Sequence, residues 1–450
     1  MNGSRFSIDV LTPVERRPRR LRLRWVRSAS GLASVFAELV RRALDVVLAA
    51  AALLLLSPAL VLRAALAWRE TGRILERKVR IGRFREPFRR LSFAGTAPGR
   101  SLPMFLNVLR GDLSLAGPRP LTEAEAAAIP PDGFERFGVR PGLVSAHTLR
   151  ARTGISYEGE VATDRDHYYG QTLRGDLGLV ARFVPVRLLG GRSGTPAPPV
   201  LDFFGVSIVN GTMDEAVDWI LERARERPAK PALLAFVNPD CLNVAWGDAD
   251  YRRALQEASR VLPDGIGIHL GCRVLGTALR ANVNGTDLFP RLCERLAGTN
   301  DSIYLLGARP GVAAEAASAM QKRFPGLAVA GTRDGYFAPD EEEAVIEAIH
   351  ASGASVLLVA FGAPKQELWL AANRERLRVP VAVGVGGLFD FYSGRVARAP
   401  HWLRELGLEW SWRLLQEPRR MWRRYLIGNW VFLYRVWKQS RVPQTSGAAS

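Results

Sequence analysis

Residues 261–289 read VLPDGIGIHLGCRVLGTALRANVNGTDLF. The run opens on a short apolar stretch of strand character, stops at Pro263-Asp264-Gly265, and turns helical through Ile266, Ile268, Leu270 and Val274. In an open α/β sheet, ligands bind at the mouth above the carboxyl ends of the strands, and an Asp at a strand end sits there. Asp is also a common helix cap. Spacing alone therefore leaves Asp264 open between cap and catalyst.

Outward from this stretch, residues 200–440 alternate apolar runs with amphipathic segments. Strands are expected at Leu233 to Val237, Ile303 to Leu306, Leu327 to Ala330, Val356 to Phe361 and Val381 to Val385. Helices are expected at Asp248 to Ser259, Val312 to Phe324, Asp340 to Ala351 and Lys365 to Leu377. Short strands that are apolar along their length, separated by helices, predict an α/β fold: a Rossmann-like, largely parallel sheet covered on both faces.

Polar residues collect where these strands end. Val237-Asn238-Pro239-Asp240 closes one, and Gly307-Ala308-Arg309-Pro310-Gly311 closes another just before a helix, where glycines and a helix N-terminus suit a phosphate. Gly362-Ala363-Pro364-Lys365-Gln366-Glu367 and Gly384-Val385-Gly386-Gly387-Leu388-Phe389-Asp390 repeat the arrangement. Asp248-Ala249-Asp250 has the spelling of a metal-binding Asp-x-Asp but lies at a helix start, where the dipole favours Asp. No His accompanies a G-x-S-x-G elbow, which excludes a Ser-His-Asp hydrolase of that type.

The first half of the chain differs. The whole chain of 450 residues carries a net charge of +18, and residues 1–200 hold 32 Lys/Arg against 17 Asp/Glu, so the surplus of 15 there leaves 3 for the rest. Arg16, Arg17, Arg19, Arg20, Arg22, Arg24 and Arg27 cluster around Trp25, ahead of the 17-residue apolar run Val46 to Leu62. A basic cluster beside an apolar segment reads as binding anionic headgroups, and no base-reading motif points to nucleic acid. The run is at the lower limit for spanning a bilayer, and Ser57-Pro58 breaks it. A re-entrant helix-break-helix is expected, with both arginine-rich flanks cytoplasmic. Cys241, Cys272 and Cys293 lack metal or redox spacing and are expected as buried free thiols of a reducing compartment.

Two families resemble this chain. Arg41-Arg42-Ala43-Leu44-Asp45, the Ser57-Pro58 break, Val79-Arg80-Ile81-Gly82, Pro87-Phe88 and NVLRGDLSLAGPRP (residues 107–120) resemble the bacterial sugar transferases of the monotopic polyprenyl-phosphate phosphoglycosyl transferase type. That likeness, over roughly residues 40–190, implies a membrane-associated, mainly α domain. It also implies an Asp-Glu pair directly before Leu102-Pro103, where this chain has Arg100 and Ser101, and a Lys-Phe-Arg where it has Ser92-Phe93-Ala94. A carboxylate nucleophile is missing, so the domain is expected to have kept its fold and lost its reaction. Arg119 and Asp112 remain as phosphate-binding or structural residues.

LPDGIGI, NGTDLF, YLLGARPG, GTRDGYF, FGAPKQELW, GVGGLFDFYSG and RAPHWLRELGLEWSWRLLQEPRRMWRRY, in that order, resemble the WecG/TagA/CpsF glycosyltransferases (glycosyltransferase family 26). The resemblance implies an inverting enzyme that moves a sugar from a UDP-sugar to a polyprenyl-diphosphate-linked saccharide in exopolysaccharide or cell-surface polysaccharide biosynthesis, with no cofactor and no required metal. It places the general base at Asp264, with Asp287 and Asp390 as competitors on residue chemistry. Arg413, Arg419, Arg420, Arg423 and Arg424 are the candidates for the leaving diphosphate. Asn238, Asn284, Thr286, Gly307, Lys365, Gln366 and Glu367 are candidates around sugar and nucleotide. Phe236 stands where many members have Thr, which puts one nucleotide contact in doubt.

The expected organisation is a basic arm over 1–39, a sugar transferase-like domain over 40–191, a linker over 192–199, the glycosyltransferase domain over 200–440 and a disordered tail over 441–450. Trp402, Trp410, Trp412, Trp422, Trp430 and Trp437 are six of the eleven tryptophans, interleaved with arginines as in a helix at a headgroup layer. Expected partners are the UDP-sugar, the polyprenyl-diphosphate-linked saccharide and membrane lipid, without nucleic acid; a homo-oligomer is compatible. The expected location is the cytoplasmic face of the bacterial inner membrane.

Overall fold

The computed structural model describes residues 35–96, 98–153, 159–189, 197–400, 403–404 and 406–441. The basic cluster around Trp25, most of the linker, Trp402 and the tail lie outside the described residues. The chain divides into two compact units, residues 35–148 with 159–181 and residues 149–153 with 182–441.

In the first unit the helices Val35–Leu55 and Ser57–Thr71 meet at a 68° bend. Pro58 opens the second helix, where its missing N–H is harmless, and Ser57 Oγ donates to Leu54 O at 2.8 Å across the break. Among the described residues no single helix is long and apolar enough to cross a membrane; only this bent pair meets the length and composition together. Its outer surface keeps Val47, Leu54, Leu55, Val61, Leu62 and Trp68 exposed.

The unit is mainly helical, with two small sheets that the sequence reading did not include. Strands β1 (Leu75–Ile81) and β2 (Pro87–Phe93) form an antiparallel hairpin, and β3 (Ser114–Ala116) pairs in parallel with β4 (Gly142–Val144). The hairpin was masked in the sequence because LERKVRI and PFRRLSF carry charges on both faces, which hides the alternation of a half-buried strand. Residues of the sugar transferase pattern do structural work here. Asp45 accepts from Ser114 Oγ at 2.8 Å and from the Leu115 N–H at 3.0 Å. Arg42 donates to Val108 O and Leu109 O, satisfying carbonyls at the end of the helix Met104–Arg110. Arg119 is held by Glu125 at 2.9 Å and Glu160 at 2.7 Å, and Asp112 accepts from Asn107 Nδ2 at 2.9 Å. Arg100, where the sugar transferase resemblance implies a carboxylate, pairs with Glu76 and donates from Nε to Phe93 O at 3.2 Å.

The second unit begins with the hairpin β5 (Val200–Phe203) and β6 (Val206–Val209). Six apolar runs then become β7 (Ala232–Val237), β8 (Arg260–Pro263), β9 (Ser302–Gly307), β10 (Ala328–Arg333), β11 (Val356–Ala360) and β12 (Val381–Gly384). They form one parallel sheet in the order β10-β9-β11-β12-β7-β8. Alternate side chains serve opposite faces: Leu234, Phe236, Leu305 and Leu358 pack in one core with Val217, Leu288 and Val312, whereas Ala235 and Val237, and Leu233, Leu306 and Leu357, pack on the other side. Phe236 is therefore anchored in the core. Cys241, Cys272 and Cys293 are buried and free, and burial pushes each thiol up to about 12.

Because all six strands run one way, every loop that follows them opens on the same edge. The ladder continues slightly past the strands, with Ala308 N–H donating to Ala360 O and Val385 N–H to Val359 O. Gly307 closes β9 at φ 126°, and a Cβ there would stand 2.6 Å from Ala360 O. Gly307→Ala is expected to destabilise the protein by about 2 kcal/mol or more through strain and this close approach, measurable as a lowered denaturation midpoint.

Candidate active site

Asp264 follows β8, and its N–H donates to Val237 O at 2.8 Å. Gly265, at φ 92°, then turns the chain into the helix Ile266–Val274, which has no side-chain cap. Asp264 is therefore not spent as a cap. The Gly265 N–H is fixed by Asn282 Oδ1 at 2.6 Å, which sets the direction of the turn.

Charged groups from three other segments lie close enough to act on the Asp264 carboxyl. Burial pushes its pKa up to about 7, Glu409 and Asp287 push the same way, and Arg424 and Arg413 pull against them. Asp287, by contrast, is committed. It lies in the first turn of the helix Gly285–Leu296, where Asn284 accepts from its N–H at 2.8 Å and donates from Nδ2 to its Oδ2 at 2.9 Å. Its Oδ1 accepts from Arg398, and Arg404 Nη1 is 4.0 Å away. Arg398 Nε donates to Glu409 Oε1 at 3.2 Å. Burial disfavours the Arg398 charge, but Asp287 and Glu409 outweigh it and raise its pKa.

The C-terminal arginines sort into two groups. Arg413, on the helix Glu409–Gln416, lies over the Phe391 ring at 5.6 Å, and its guanidinium passes Gly387, where a Cβ would come within 3.1 Å of Nη2 and 3.7 Å of Asp390 Oδ2. Arg424 lies in a wide π-turn over Arg423–Ile427, with Nε 3.2 Å from Asp240 Oδ2. Burial opposes the Arg424 charge, yet Tyr425, Asp240 and Asp264 among its neighbours hold its pKa up. Arg419, Arg420 and Arg423 are exposed, Arg420 beside Glu417 and Arg423 over Trp422.

The remaining residues line the same edge in different ways. Asn238 caps the helix Pro239–Gly247, accepting from the Asp240 and Cys241 N–H groups at 3.0 and 3.2 Å. Gln366 is buried and joins two loops, since its Oε1 accepts from the Gly362 N–H at 3.2 Å and the Gly386 N–H at 2.9 Å. Its Nε2 donates to Glu367 at 2.7 Å, and burial pushes the Glu367 acid up to about 7. Lys365 is exposed with Nζ 5.2 Å from the Phe361 ring centre, and Thr286 O accepts from Tyr392 Oη. Asp248 caps the helix Ala249–Glu257 by accepting from the Tyr251 N–H at 2.9 Å, as its position implied.

Four residues of the site were not singled out in the sequence: Asp240, Arg398, Glu409 and Tyr425. Each falls inside a quoted motif, but their relevance depends on the last segments folding back over the sheet edge. The helix Gly428–Arg441 docks through Phe432 and Val436, with Asn243 Nδ2 donating to Gly428 O at 2.7 Å. Trp422, Trp430 and Trp437 stay exposed.

The raised acid of Asp264 has a thermodynamic consequence. A carboxyl that titrates near 3.8 unfolded and about 7 folded binds its proton more tightly in the native state, so it costs stability progressively as pH rises from about 4 to about 7. Asp264→Asn is therefore expected to be more heat-stable than the parent above pH 7, with the two melting curves converging as pH falls towards 4.

A model of the glycosyl transferase WecG/TagA/CpsF family matches residues 201–446, and a model of bacterial sugar transferases matches residues 100–190. An N-acetylglucosaminyldiphosphoundecaprenol N-acetyl-beta-D-mannosaminyltransferase of Bacillus spizizenii is 36% identical over 197 residues, which are 44% of this chain and 76% of that protein. The enzyme of the same description from Bacillus subtilis (strain 168) is 32% identical over 221 residues, 49% of this chain and 85% of that protein.

Proposed function

The chain belongs to the WecG/TagA/CpsF glycosyltransferase family, and from that premise we propose that it transfers an N-acetylhexosamine of the mannosamine type from a UDP-sugar to a polyprenyl-diphosphate-linked saccharide, with inversion. The sugar and acceptor classes follow the descriptions of the two Bacillus relatives. The observation that carries the mechanism is the convergence of Arg413 and Arg424 on an uncommitted carboxylate, Asp264.

In this mechanism Asp264 takes the proton of the acceptor hydroxyl as that oxygen bonds to the anomeric carbon and the bond from that carbon to the diphosphate breaks. A base is most effective when its pKa lies near the working pH, and about 7 meets that condition. Arg413 and Arg424 stabilise the negative charge that grows on the departing diphosphate, and guanidinium forks suit its oxygens. Asp287 holds Arg398 and Asn284, and Gln366 sets the spacing of two loops; we assign them positioning roles. With two arginines at the leaving group, transfer proceeds without a bound metal.

The bent helix pair, whose exposed aliphatic surface suits hydrocarbon, and the exposed tryptophans of the C-terminal helices support attachment to the cytoplasmic face of the bacterial inner membrane. With Arg100 and Ser101 where the carboxylate pair would be, the first unit carries no phosphoglycosyl transfer of its own. Cell-surface polysaccharide assembly is the setting that such an acceptor implies.

The deciding experiment supplies UDP-sugars with a detergent-soluble diphosphate-linked acceptor and follows UDP release. Asp264→Asn is expected to lower kcat about 10²- to 10⁴-fold, and the parent's rate should fall about tenfold per pH unit below 7. Asp264→Asn with parental kcat would remove the mechanism. Arg413→Ala and Arg424→Ala should each cost about 10²-fold, whereas Arg419→Ala, on the outer surface, should change the rate less than about twofold. EDTA should leave the rate unchanged, and loss of activity that Mg²⁺ restores would overturn the metal-free step.

A further inference from the structure

Glu367 is a buried acid to which the transfer step described above gives no task. It lies in the first turn of the helix Lys365–Ala372 and is 4% exposed. The next residue, Leu368, packs with Cys241, Tyr251 and Leu255 in one core of the second unit. Glu367 therefore stands between that core and the loops at the sheet edge. One of its oxygens accepts from Gln366 Nε2 at 2.7 Å, and the other has no hydrogen-bond partner among the described residues. Burial first, and the Glu367 charge among the further causes, raise the acids of both Cys241 and Tyr251, so neither neighbour offsets the burial of the carboxyl. A carboxyl buried with so little compensation is costly. Stability of the fold does not account for it.

The one side-chain bond it makes is placed where a displacement would spread. Gln366 is buried, and its Oε1 accepts from the N–H groups of Gly362 after β11 and Gly386 after β12. Two donors on one side require the amide oxygen there, so the NH2 group points the other way and needs an acceptor. Glu367 supplies it. Gln366 Nε2 also lies close against the end of β12, where a Cβ on Gly384 would come within 2.9 Å. Gly386, at φ 60°, leads into Gly387 and the short helix Leu388–Tyr392. Arg413 lies along this segment, over the Phe391 ring at 5.6 Å and beside Gly387. A path of contacts thus runs from Glu367 through Gln366 and Gly386 to Arg413.

We propose that Glu367 is a positioning residue of the transfer reaction: its carboxyl oxygen holds the Gln366 amide in the orientation that fixes the Gly386 loop, and through that loop the Arg413 guanidinium. This rests on the reading that Arg413 serves the leaving diphosphate. Burial of the Glu367 carboxyl opposes direct contact with sugar or nucleotide. The role needs only an acceptor oxygen, which the acid and its ionised form both offer.

The test follows UDP release by full-length variants. Glu367→Met, similar in size but without the acceptor, is expected to lower kcat about tenfold while KM for the UDP-sugar changes less than about twofold, since a misplaced Arg413 fails the charge that grows in the transition state. Glu367→Gln keeps a carbonyl oxygen at the same reach and should bring kcat back to within about threefold of the parent. In an Arg413→Ala background the Met substitution should cost less than about twofold, because the group it positions is gone. Parental kcat in Glu367→Met, equal losses in the Met and Gln variants, or a tenfold loss that persists without Arg413 would each overturn the proposal. Glu367→Asp, whose carboxyl falls short by one methylene, should lose kcat in the same direction and serves if Glu367→Met fails to fold. Amide hydrogen exchange over residues 385–392 gives a readout independent of turnover, expected to quicken about tenfold in Glu367→Met and to stay parental in Glu367→Gln. Unchanged exchange in Glu367→Met would also overturn the proposal. A parent that shows this exchange pattern but transfers no sugar would sink the enzymatic reading and leave the hold of Glu367 on the loop standing.

Discussion

Arg398 holds two carboxylates at once, Asp287 from the helix after β8 and Glu409 from the segment that returns after β12. That bridge is the constraint on which the site depends. It brings Glu409, and with it the helix carrying Arg413, to the edge of the sheet where Asp264 stands. The three side chains are only partly buried, so removing one costs less than the about 3–5 kcal/mol of a fully buried pair. Asp287 also has Asn284 and Arg404 around it, so its negative charge is satisfied before any substrate arrives.

The division of labour among the acids follows from this. Asp264 and Asp287 are both at the sheet edge, yet only one has its oxygens taken up by local donors. The Asp287 carboxylate is already engaged by Arg398 and Asn284, with Arg404 nearby. Asp264 has the opposite environment, with burial and the neighbouring Glu409 and Asp287 keeping its acid weak. Two of the charges that fix the architecture, Glu409 and Asp287, thereby also act on the base. One acid thus serves as an anchor while the other stays open for chemistry near neutral pH.

Much of the second unit was legible in its sequence because buried parallel strands are apolar along their length and stand out against amphipathic helices. The five expected strands and the run at Val261 correspond to β7 to β12. Hairpins were harder, since β1 and β2 are rich in arginine and β5 and β6 are only four residues long. The arginines of residues 413–424 show where sequence stops: all five have the same chemistry, and helical spacing cannot rank them across the break at Glu417-Pro418 and the π-turn that follows. The wide turn rotates Arg424 inward to Asp240 and leaves Arg423 outside over Trp422. Asp240, Arg398 and Glu409 are distant in sequence from Asp264 and acquire meaning only through the returning chain.

The first unit makes the complementary point about motifs. Arg42, Asp45, Asn107 and Arg119 fit a sugar transferase pattern, and each is used to satisfy backbone or carboxylate groups inside this fold. Losing Asp45 or Asn107, both buried, would leave backbone groups without a partner, at a cost of about 1–3 kcal/mol. Positions 100 and 101 have no such duty towards the core: Arg100 is only half-buried and Ser101 is exposed. The fold therefore does not depend on the residue types at positions 100 and 101, because other side chains hold the chain together. Position 100 holds a guanidinium whose charge Glu76 partly balances against the neighbouring arginines that oppose it.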